Sequence, residues 1–315
     1  MSNETTVTEF LLLGFSDTVE QQIIYSVVFL IVYLAALIWN LLIILVVAFS
    51  HHLHSPMYFF LGNLSFLDIC YISVTVPKCI ANSLTSTRVI SFCGCVAQVF
   101  LLVLCGAAEM ALLTVMAYDR YVAICLPLHY REIMNWGACV QMAAGSWICS
   151  MVYSMIHTVT TFRLDFCQSN ILDNFFCDIP QLLKLSCSDT LPNEILLFLS
   201  GIFSGSICFT LVLMSYIDIF VTVMRIPSTQ GKYKAFSTCL PHLIIFGLFV
   251  STSLFAYMRP KSISSPYRDV LAAVFYAVMP PTVNPLIYSL RNREIKVAFT
   301  VLMRRMLFHK RNPLF

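Results

Sequence analysis

Charged residues are scarce in this 315-residue chain: Asp, Glu, Lys and Arg account for 11% of it, and hydrophobic residues for 59%. A soluble globular domain carries roughly 25% charged residues, so this composition excludes a soluble protein and indicates a membrane protein. The net charge of +3 is also too small to favour nucleic acid as a partner. Seven apolar runs are long enough to cross a bilayer, which predicts an all-α membrane protein built as a seven-transmembrane helix bundle. The runs cover about 23–49, 56–80, 92–122, 138–158, 194–223, 235–258 and 268–289.

The N-terminal segment lacks the basic region and the apolar core of a cleavable signal peptide. We therefore expect the first membrane helix to direct its own insertion. Residues 1–22 are predicted to be extracellular, because Asn3 begins an Asn-Glu-Thr glycosylation acceptor. Seven crossings then place the C-terminus inside, with twelve basic residues on the inner side and seven on the outer side. This asymmetry agrees with the positive-inside rule.

The last part of the chain differs in kind from the seven runs. Residues 23–291 are predicted to form the seven-transmembrane domain, and residues 292–315 an amphipathic eighth helix with a cytoplasmic tail. One apolar stripe follows the helical period there, while the basic side chains point elsewhere, as in a helix on a membrane surface. The stripe consists of Ile295, Phe299, Leu302 and Met306.

Catalytic and metal-binding motifs are also missing. The apolar spans contain no Ser/His arrangement, no paired catalytic Asp and no His-Glu metal motif, which argues against an enzyme. A transporter or channel is a further alternative, but it would show repeats with broken helices or mid-membrane polar pathways. Five of the thirteen cysteines lie on the predicted outer side, where thiols usually pair. These five are Cys93, Cys95, Cys167, Cys177 and Cys187. Because five is odd, at least one of them stays free or binds elsewhere.

The third run ends in an acid–base pair, Asp119-Arg120. Two charges there are tolerable only at a membrane edge or in a protein-lined cavity. Such a pair can hold a closed state and, once released, offer Arg120 to a partner. An ordinary interfacial arginine that extends to the lipid headgroups fits the spacing equally well.

Several motifs identify a family. Asp119-Arg120-Tyr121 ends the third run, and Asn284-Pro285-Leu-Ile-Tyr288 ends the seventh, which resembles rhodopsin-like G-protein-coupled receptors. Five longer blocks resemble the signatures of vertebrate olfactory (odorant) receptors: Leu53–Leu61, Met116–Cys125, Ser215-Tyr216, Lys234–Cys239 and Pro285–Asn292. The outer loop, with Phe175–Pro180 and Leu185–Asp189, resembles the land-vertebrate class.

The resemblance implies an odorant receptor that binds small, mostly neutral volatile ligands and activates a stimulatory, olfactory-type G protein, which raises cyclic AMP. It also implies a multi-pass glycoprotein of the plasma membrane, in the cilia of olfactory neurons. A trafficking chaperone is a further candidate partner. A related receptor for a metabolite outside the nose stays open as an alternative. The implied disulfides are Cys95–Cys177 and Cys167–Cys187, which leaves Cys93 as the spare cysteine.

Two sets of residues carry the implied function. The candidate switch and G-protein contacts are Asp119, Arg120, Tyr121, Leu128, Tyr216, Lys234, Asn284, Pro285 and Tyr288. The candidate ligand cavity lies in the outer half, between the third, fifth and sixth helices. By the family's register its residues are Leu102, Val103, Gly106, Ser200, Ser204, Ile207, Val250, Ser253, Leu254 and Tyr257. Because no charged side chain is among them, the cavity suits a neutral ligand and argues against an amine.

Two carboxylates are predicted at mid-membrane depth, Asp68 and Glu109. Two such acids repel each other and are costly in a membrane. A sodium-like cation, with Asn40 and Asn284 nearby, would relieve that repulsion and favour the resting state. The alternative is a protonated acid hydrogen-bonded to its helix neighbours. No other cofactor is expected.

The sequence departs from the family pattern at three positions. Trp39 stands where the family usually has Gly, so the first and seventh helices are expected to pack less closely. Pro241 is expected to bend the sixth helix or loosen its hydrogen bonds. Val250 replaces a frequent Tyr, which is expected to make the cavity floor apolar and roomier. Asp218 has no role that the sequence assigns.

Overall fold

The computed structural model describes residues 7–13, 18–85, 87–166, 170–257, 266–292 and 294–301, with side chains for all of these except 257, 266–270 and 291. Helices dominate the described residues. In chain order they are α1 Val19–Phe49, α2 Pro56–Thr85, α3 Phe92–Cys125, α4 Tyr130–Ile133, α5 Trp136–Phe162, α6 Ile179–Leu185, α7 Leu191–Met224, α8 Thr229–Tyr257, α9 Pro266–Ala277 and α10 Met279–Arg291. A 3-10 turn at His51–Leu53 joins α1 to α2, and residues 294–301 are again helical.

The helices match the predicted spans. In the described residues, six single helices are long and apolar enough to cross a membrane: α1, α2, α3, α5, α7 and α8. The seventh span is a pair, because its two segments in α9 and α10 meet at an angle of 42°. Pro280 and Pro281 lie at the start of α10, and proline supplies no backbone N–H to continue the helical ladder. The predicted seven-helix fold is confirmed, and the break in its last span was not predicted.

Helix α3 occupies the centre of the bundle, where it packs against α2, α5, α7 and α8. Its start is fixed by Ser91, whose Oγ accepts a hydrogen bond of 3.2 Å from the N–H of Gly94. The largest apolar cluster surrounds its middle third and includes the fully buried Ala108, Leu112 and Leu113. Helix α3 therefore contributes residues to both ends of the bundle.

A small sheet covers one end of the bundle. Its strands are β1 Glu9–Leu12, β2 Val89–Ser91 and β3 Ile171–Leu172, in the order β2-β1-β3. Strand β1 pairs antiparallel with β2 and parallel with β3. We call these strands together with α6 the cap, their end of the bundle the cap end, and the opposite end, which holds Asp119 and Arg120, the latch end.

The cap has an apolar core of its own. Phe10 of β1 is fully buried and stacks on Phe92 at a ring distance of 6.1 Å. A disulfide joins Cys95 of α3 to Cys177, which precedes α6. The sequence did not predict this sheet, because residues 1–22 carried no strand signal long enough to be read by periodicity.

Candidate functional site

The predicted acid–base pair at the end of α3 forms a network with a third residue, Tyr130. We call these three residues the latch. Arg120 forms a salt bridge with the neighbouring Asp119, and its Nε lies 2.9 Å from Asp119 Oδ2. The Tyr130 hydroxyl donates a hydrogen bond of 2.8 Å to Asp119 Oδ1. Asp119 is fully buried, and the Arg120 side chain is 15% exposed. Both carboxylate oxygens are thus engaged, one by Arg120 and the other by Tyr130.

The sequence did not assign a role to Tyr130, although it closes the segment that follows the Asp-Arg-Tyr motif. It lies on α4, outside the membrane helices. Burial, followed by the Asp119 carboxylate, raises the pKa of the Tyr130 hydroxyl above its ordinary value. Tyr130 therefore keeps its proton at neutral pH and remains a hydrogen-bond donor to Asp119.

A second network joins three helices near the latch. Tyr216 of α7 lies 2.8 Å from Nδ1 of His242 on α8, and Nε2 of His242 lies 2.8 Å from the carbonyl oxygen of Leu113 on α3. A carbonyl only accepts, so Nε2 carries the hydrogen and Nδ1 accepts from the Tyr216 hydroxyl. The rings of Tyr216, His242 and Phe246 stack in sequence, at 5.7 and 6.5 Å. The Tyr216 hydroxyl is thus bonded to His242 in this arrangement.

The remaining switch residues lie in different environments. Tyr121 is half-buried against an apolar cluster of α7 and α8, which includes Ile219 and Cys239. Leu128 is 94% exposed, and Lys234 is exposed, so both are available to a partner. The other three lie on α10, where Pro285 is inside the helix and Asn284 and Tyr288 are buried.

One amide bridges the two mid-membrane carboxylates. Nδ2 of Asn284 donates to Glu109 Oε1 at 2.9 Å and to Asp68 Oδ1 at 3.1 Å. Asn40 does not join them, because its Nδ2 binds the carbonyl oxygens of Ala36 and Pro281, at 3.0 and 2.9 Å. The structure thus brings together three of the four residues that the sequence grouped.

This cluster fits a small hard cation in its chemistry. The two carboxyl groups share a single amide donor, and no cationic side chain among the described residues bonds to either of them. The Oδ1 atom of Asn284 and the hydroxyl of Tyr288 are buried without a hydrogen-bond partner among the described residues. Carboxylate and amide oxygens are the ligands that hard cations prefer. No group of three or more His, Cys, Asp or Glu with metal-site geometry occurs in the described part of the chain.

The predicted ligand residues on α3 lie inside the bundle. Leu102 is 8% exposed and belongs to the central apolar cluster, and Val103 packs against the core of the cap. A Cβ atom added at Gly106 would stand 3.9 Å from the ring of Tyr71, which is ordinary van der Waals contact. Val250 of α8 packs against the same central cluster. These four positions therefore surround the interior next to the cap.

The ligand residues on α7 form a separate group. Ser200 faces α5, where its Oγ lies 3.0 Å from Nε2 of His157. The Ser204 hydroxyl donates to the carbonyl oxygen of Ser200 at 2.7 Å, and Ile207 is 44% exposed. Ser200 is thus already engaged by a partner helix, whereas Ser204 and Ile207 are not packed into the bundle.

The last three ligand residues lie near the end of α8. Ser253 is half-buried, and Leu254 is 49% exposed. Tyr257 is the final residue of the helix, but its side chain is outside the described part of the chain. Its predicted contact with ligand stays a prediction.

The outer loop closes the cap end of the bundle with two aromatic side chains. Phe175 and Phe176 are almost fully buried, and their rings lie 6.0 Å from Phe29 and 5.7 Å from Tyr276, respectively. Gln98 of α3 holds this segment, since its Oε1 accepts from the N–H of Cys177 at 2.8 Å. Its Nε2 donates to a carbonyl of α2 at 2.8 Å. The sequence missed Gln98, although a lone amide in an apolar run was the signal that could have found it.

Several predictions fall partly on residues outside the described ranges. The structure joins Cys95 to Cys177, as the resemblance implied. Cys187 is disulfide-bonded, but its implied partner, Cys167, is outside the described residues, and Cys93 is free and exposed. The glycosylation acceptor Asn3 also lies outside them. Of the amphipathic stripe, Ile295 is buried and Phe299 is half-buried, while Leu302 and Met306 are not described.

Trp39, Pro241 and Asp218 lie in different local environments. Trp39 stacks on Phe299 at 6.0 Å and lines a groove between α1 and α10. Pro241 lies inside α8, which continues through it as one helix. Asp218 of α7 is exposed, and no contact in the structure assigns it a role.

Comparison with solved structures supports the fold. The chain resembles the crystal structure of squid rhodopsin with a TM-score of 0.73, over 92% of this chain and 87% of that one, at 17% sequence identity. The likeness shows that this chain has the same seven-helix fold as that structure.

Sequence comparison supplies the family. The family model described as olfactory receptor matches residues 29–310. The human olfactory receptor 14A16 is 52% identical over 98% of this chain and 100% of its own length. The human olfactory receptor 14C36 is 50% identical over 98% of this chain and 99% of its own length. Members of this family are receptors rather than enzymes, and they are multi-pass proteins of the plasma membrane. With these matches over nearly its whole length, the chain belongs to the olfactory receptor family.

Proposed function

We propose that this receptor binds small, mostly neutral volatile odorants near its cap end and activates a stimulatory, olfactory-type G protein at its latch end, which raises cyclic AMP. The cap end then faces outward, in the cilia of olfactory neurons, and the latch end faces the cytoplasm. The observation that carries this proposal is the layout of α3. One unbroken helix presents Leu102 and Gly106 to the interior near the cap and ends in the closed Asp119–Arg120 pair.

The chemistry of the cap-end interior favours a neutral ligand. Between Cys95 and Ala108 helix α3 carries no charged residue, so no acid is available there to pair with an amine. The apolar Leu102, Val103 and Val250 would supply affinity through burial of the ligand's apolar surface. The hydroxyl of the half-buried Ser253 is a polar group that could orient an oxygenated odorant.

Activation is proposed as a population shift between two arrangements of the latch end. In the closed one, the Tyr216–His242 and His242–Leu113 hydrogen bonds tie α8 to α7 and α3. A ligand that favours an outward position of the latch end of α8 must break both. Tyr216 is then released toward Arg120, and a helix of the G protein enters the gap, where it meets the exposed Leu128 and Lys234.

We also propose that a sodium-like ion favours the closed arrangement through Asp68 and Glu109. These two residues, with Asn284, would hold the ion. The ion would neutralise negative charge on the two carboxylates. Asp68 lies on α2, Glu109 on α3 and Asn284 on α10, so the cluster ties three helices together.

A cell-based odorant screen tests the proposal. Cells that supply the olfactory G protein and a trafficking chaperone would express the receptor, and cyclic AMP would be read against a panel of neutral volatiles and volatile amines. We expect responses to a subset of the neutral compounds and none to the amines. Responses confined to amines, or a calcium signal without cyclic AMP, would contradict the ligand class or the G-protein type, respectively.

A further inference from the structure

A groove at the latch end of the bundle has no part in the proposed switch. It has a volume of about 300 Å³ and lies between α1, α10 and the helical residues 294–301. Its floor is apolar: Ile43 and Val46 of α1 are buried, and the Trp39 and Phe299 rings, which stack on each other, form one wall. Leu290, which is 64% exposed, forms part of the opposite side.

The groove contains one cationic group, the exposed side chain of Lys296. The two hydroxyls that line the groove already form hydrogen bonds within their own helices. The Ser289 hydroxyl donates to the backbone carbonyl of Leu286 at 3.1 Å, and the Thr300 hydroxyl donates to the backbone carbonyl of Lys296 at 2.9 Å. Lys296 therefore supplies the polar recognition that the described residues of the groove can offer.

The acid closest to Lys296 in the sequence is held elsewhere. Glu294 accepts a hydrogen bond of 2.7 Å from the hydroxyl of Tyr58 on α2. Among the described residues, no acid lies within salt-bridge distance of Lys296. The positive charge at the rim of the groove is thus available to an external anion.

We propose that this groove binds an anionic phospholipid, with an acyl chain along Trp39 and Phe299 and the headgroup at Lys296. The position of the groove supports a lipid, because α1 is long and apolar enough to cross a membrane and α10 forms part of the seventh span. The charge of Lys296 supports an anionic headgroup over a zwitterionic one. The orientation of the receptor in the membrane comes from the proposed function. It decides only which leaflet of the bilayer supplies the lipid.

The three tryptophans of the chain allow a direct test. In the full-length receptor, Trp136→Phe and Trp147→Phe leave Trp39 as the single emitter. Purified receptor in nanodiscs of phosphatidylcholine would receive brominated phosphatidylglycerol or brominated phosphatidylcholine, whose bromines quench tryptophan on contact. We expect phosphatidylglycerol to quench Trp39 at about fivefold lower mole fraction, the preference that one lysine near a membrane surface gives.

Two further variants decide the assignment. Lys296→Gln should remove the preference for phosphatidylglycerol, whereas Lys232→Gln, which changes a lysine in the first turn of α8, should keep it. Equal quenching by both lipids would mean general lipid contact and would overturn the proposal. Displacement by cholesterol with no effect of Lys296→Gln would assign the groove to a sterol and would overturn it too.

A second measurement avoids any dependence on the tryptophan variants. Mass spectrometry of lipids that copurify with the receptor should show anionic phospholipid with the native chain and less of it with Lys296→Gln. Equal amounts would contradict the proposal. Neither experiment uses an odorant or a G protein, so its outcome is independent of the proposed function.

Discussion

Helix α7 shows how differently the two ends of this receptor are built. Its buried residues are Val212, Ile219 and Val223, all in the half toward the latch end. From Leu191 to Leu211 none of its residues is buried, and polar contacts such as Asn193 to the carbonyl of Thr160, at 2.9 Å, link it to α5. A densely packed interior has few alternative arrangements, whereas a loosely packed one has many. The cap-end half of α7 is therefore the more adaptable part of this helix, and its latch-end half is held by packing.

Hydrogen bonds between elements occur at both ends, but not every hydroxyl at the cap end takes part in one. At the latch end, Asp119, Tyr216 and His242 bond to residues of other elements and define one closed arrangement. At the cap end, Ser204 and Ser206 bond to carbonyls of their own helix. Mutations at the latch end should change the response to every odorant, and those at the cap end should change which odorants act.

The largest effect is expected from Arg120→Ala. Removing one partner of a buried, hydrogen-bonded charge pair costs about 2–5 kcal/mol, and the arginine is also the proposed contact for the G protein. Odorant-stimulated cyclic AMP should fall by about a hundredfold or more, with surface delivery unchanged by antibody staining of intact cells. Arg225→Ala, at the end of α7, is the matched control and should signal normally. Normal cyclic AMP from the Arg120 variant would exclude its role.

Tyr130→Phe should raise basal signalling. It removes the hydrogen bond to the Asp119 carboxylate, and a hydrogen bond to a charged group contributes about 1.5–3 kcal/mol. Because this bond stabilises the closed arrangement, ligand-free cyclic AMP per surface receptor should increase by about tenfold. Tyr118→Phe changes an exposed tyrosine of α3 and should leave the basal level unchanged. An unchanged basal cyclic AMP level in the Tyr130 variant would show that the closed Asp119–Arg120 pair does not depend on α4.

Asp68→Asn and Glu109→Gln test the mid-membrane cluster. If sodium favours the closed arrangement, raising sodium should weaken the apparent potency of an agonist by about fivefold, the lower end of typical coupling between sites. Each variant should abolish that dependence, measured as agonist dose–response curves in sodium and in choline buffer. An unchanged sodium response in both variants would remove the cation from the proposal.

Tyr257→Phe is expected to have the smallest effect and the most selective one. Loss of one neutral hydrogen bond costs about 1 kcal/mol, so oxygenated odorants that use the hydroxyl should lose about threefold to fivefold in potency. Hydrocarbon odorants should be unaffected, and the rank order should change. Equal losses for all odorants would indicate a folding defect and would contradict a ligand contact at Tyr257.

The sequence was most informative about long segments and least informative about contacts between distant ones. Apolar runs gave the membrane spans because a helix satisfies its own backbone hydrogen bonds and needs only length and hydropathy to be recognised. The break in the seventh span depends on how Pro280 and Pro281 start a new helix. The cap sheet depends on pairing between β1 and strands 80 and more residues away, which no local pattern records.

The site divides in the same way. Asp119 and Arg120 are neighbours, so the sequence alone predicted their pair. The role of His242 depends on a backbone carbonyl 129 residues away, at Leu113. Asn40 was grouped with the mid-membrane carboxylates by depth, and the structure shows that depth was insufficient, because its amide faces the carbonyl of Pro281.

Strand β1 has a practical consequence for anyone who expresses this receptor. Phe10 is inserted between Phe92 and Phe166, and the backbone N–H of Phe92 donates to the carbonyl of Thr8 at 2.9 Å. An epitope tag or fusion partner is therefore best joined ahead of Val7. A leader swap that deletes Glu9–Leu12 would remove β1 from the cap sheet and leave its apolar core open, and the resulting poor yield would be mistaken for a trafficking defect.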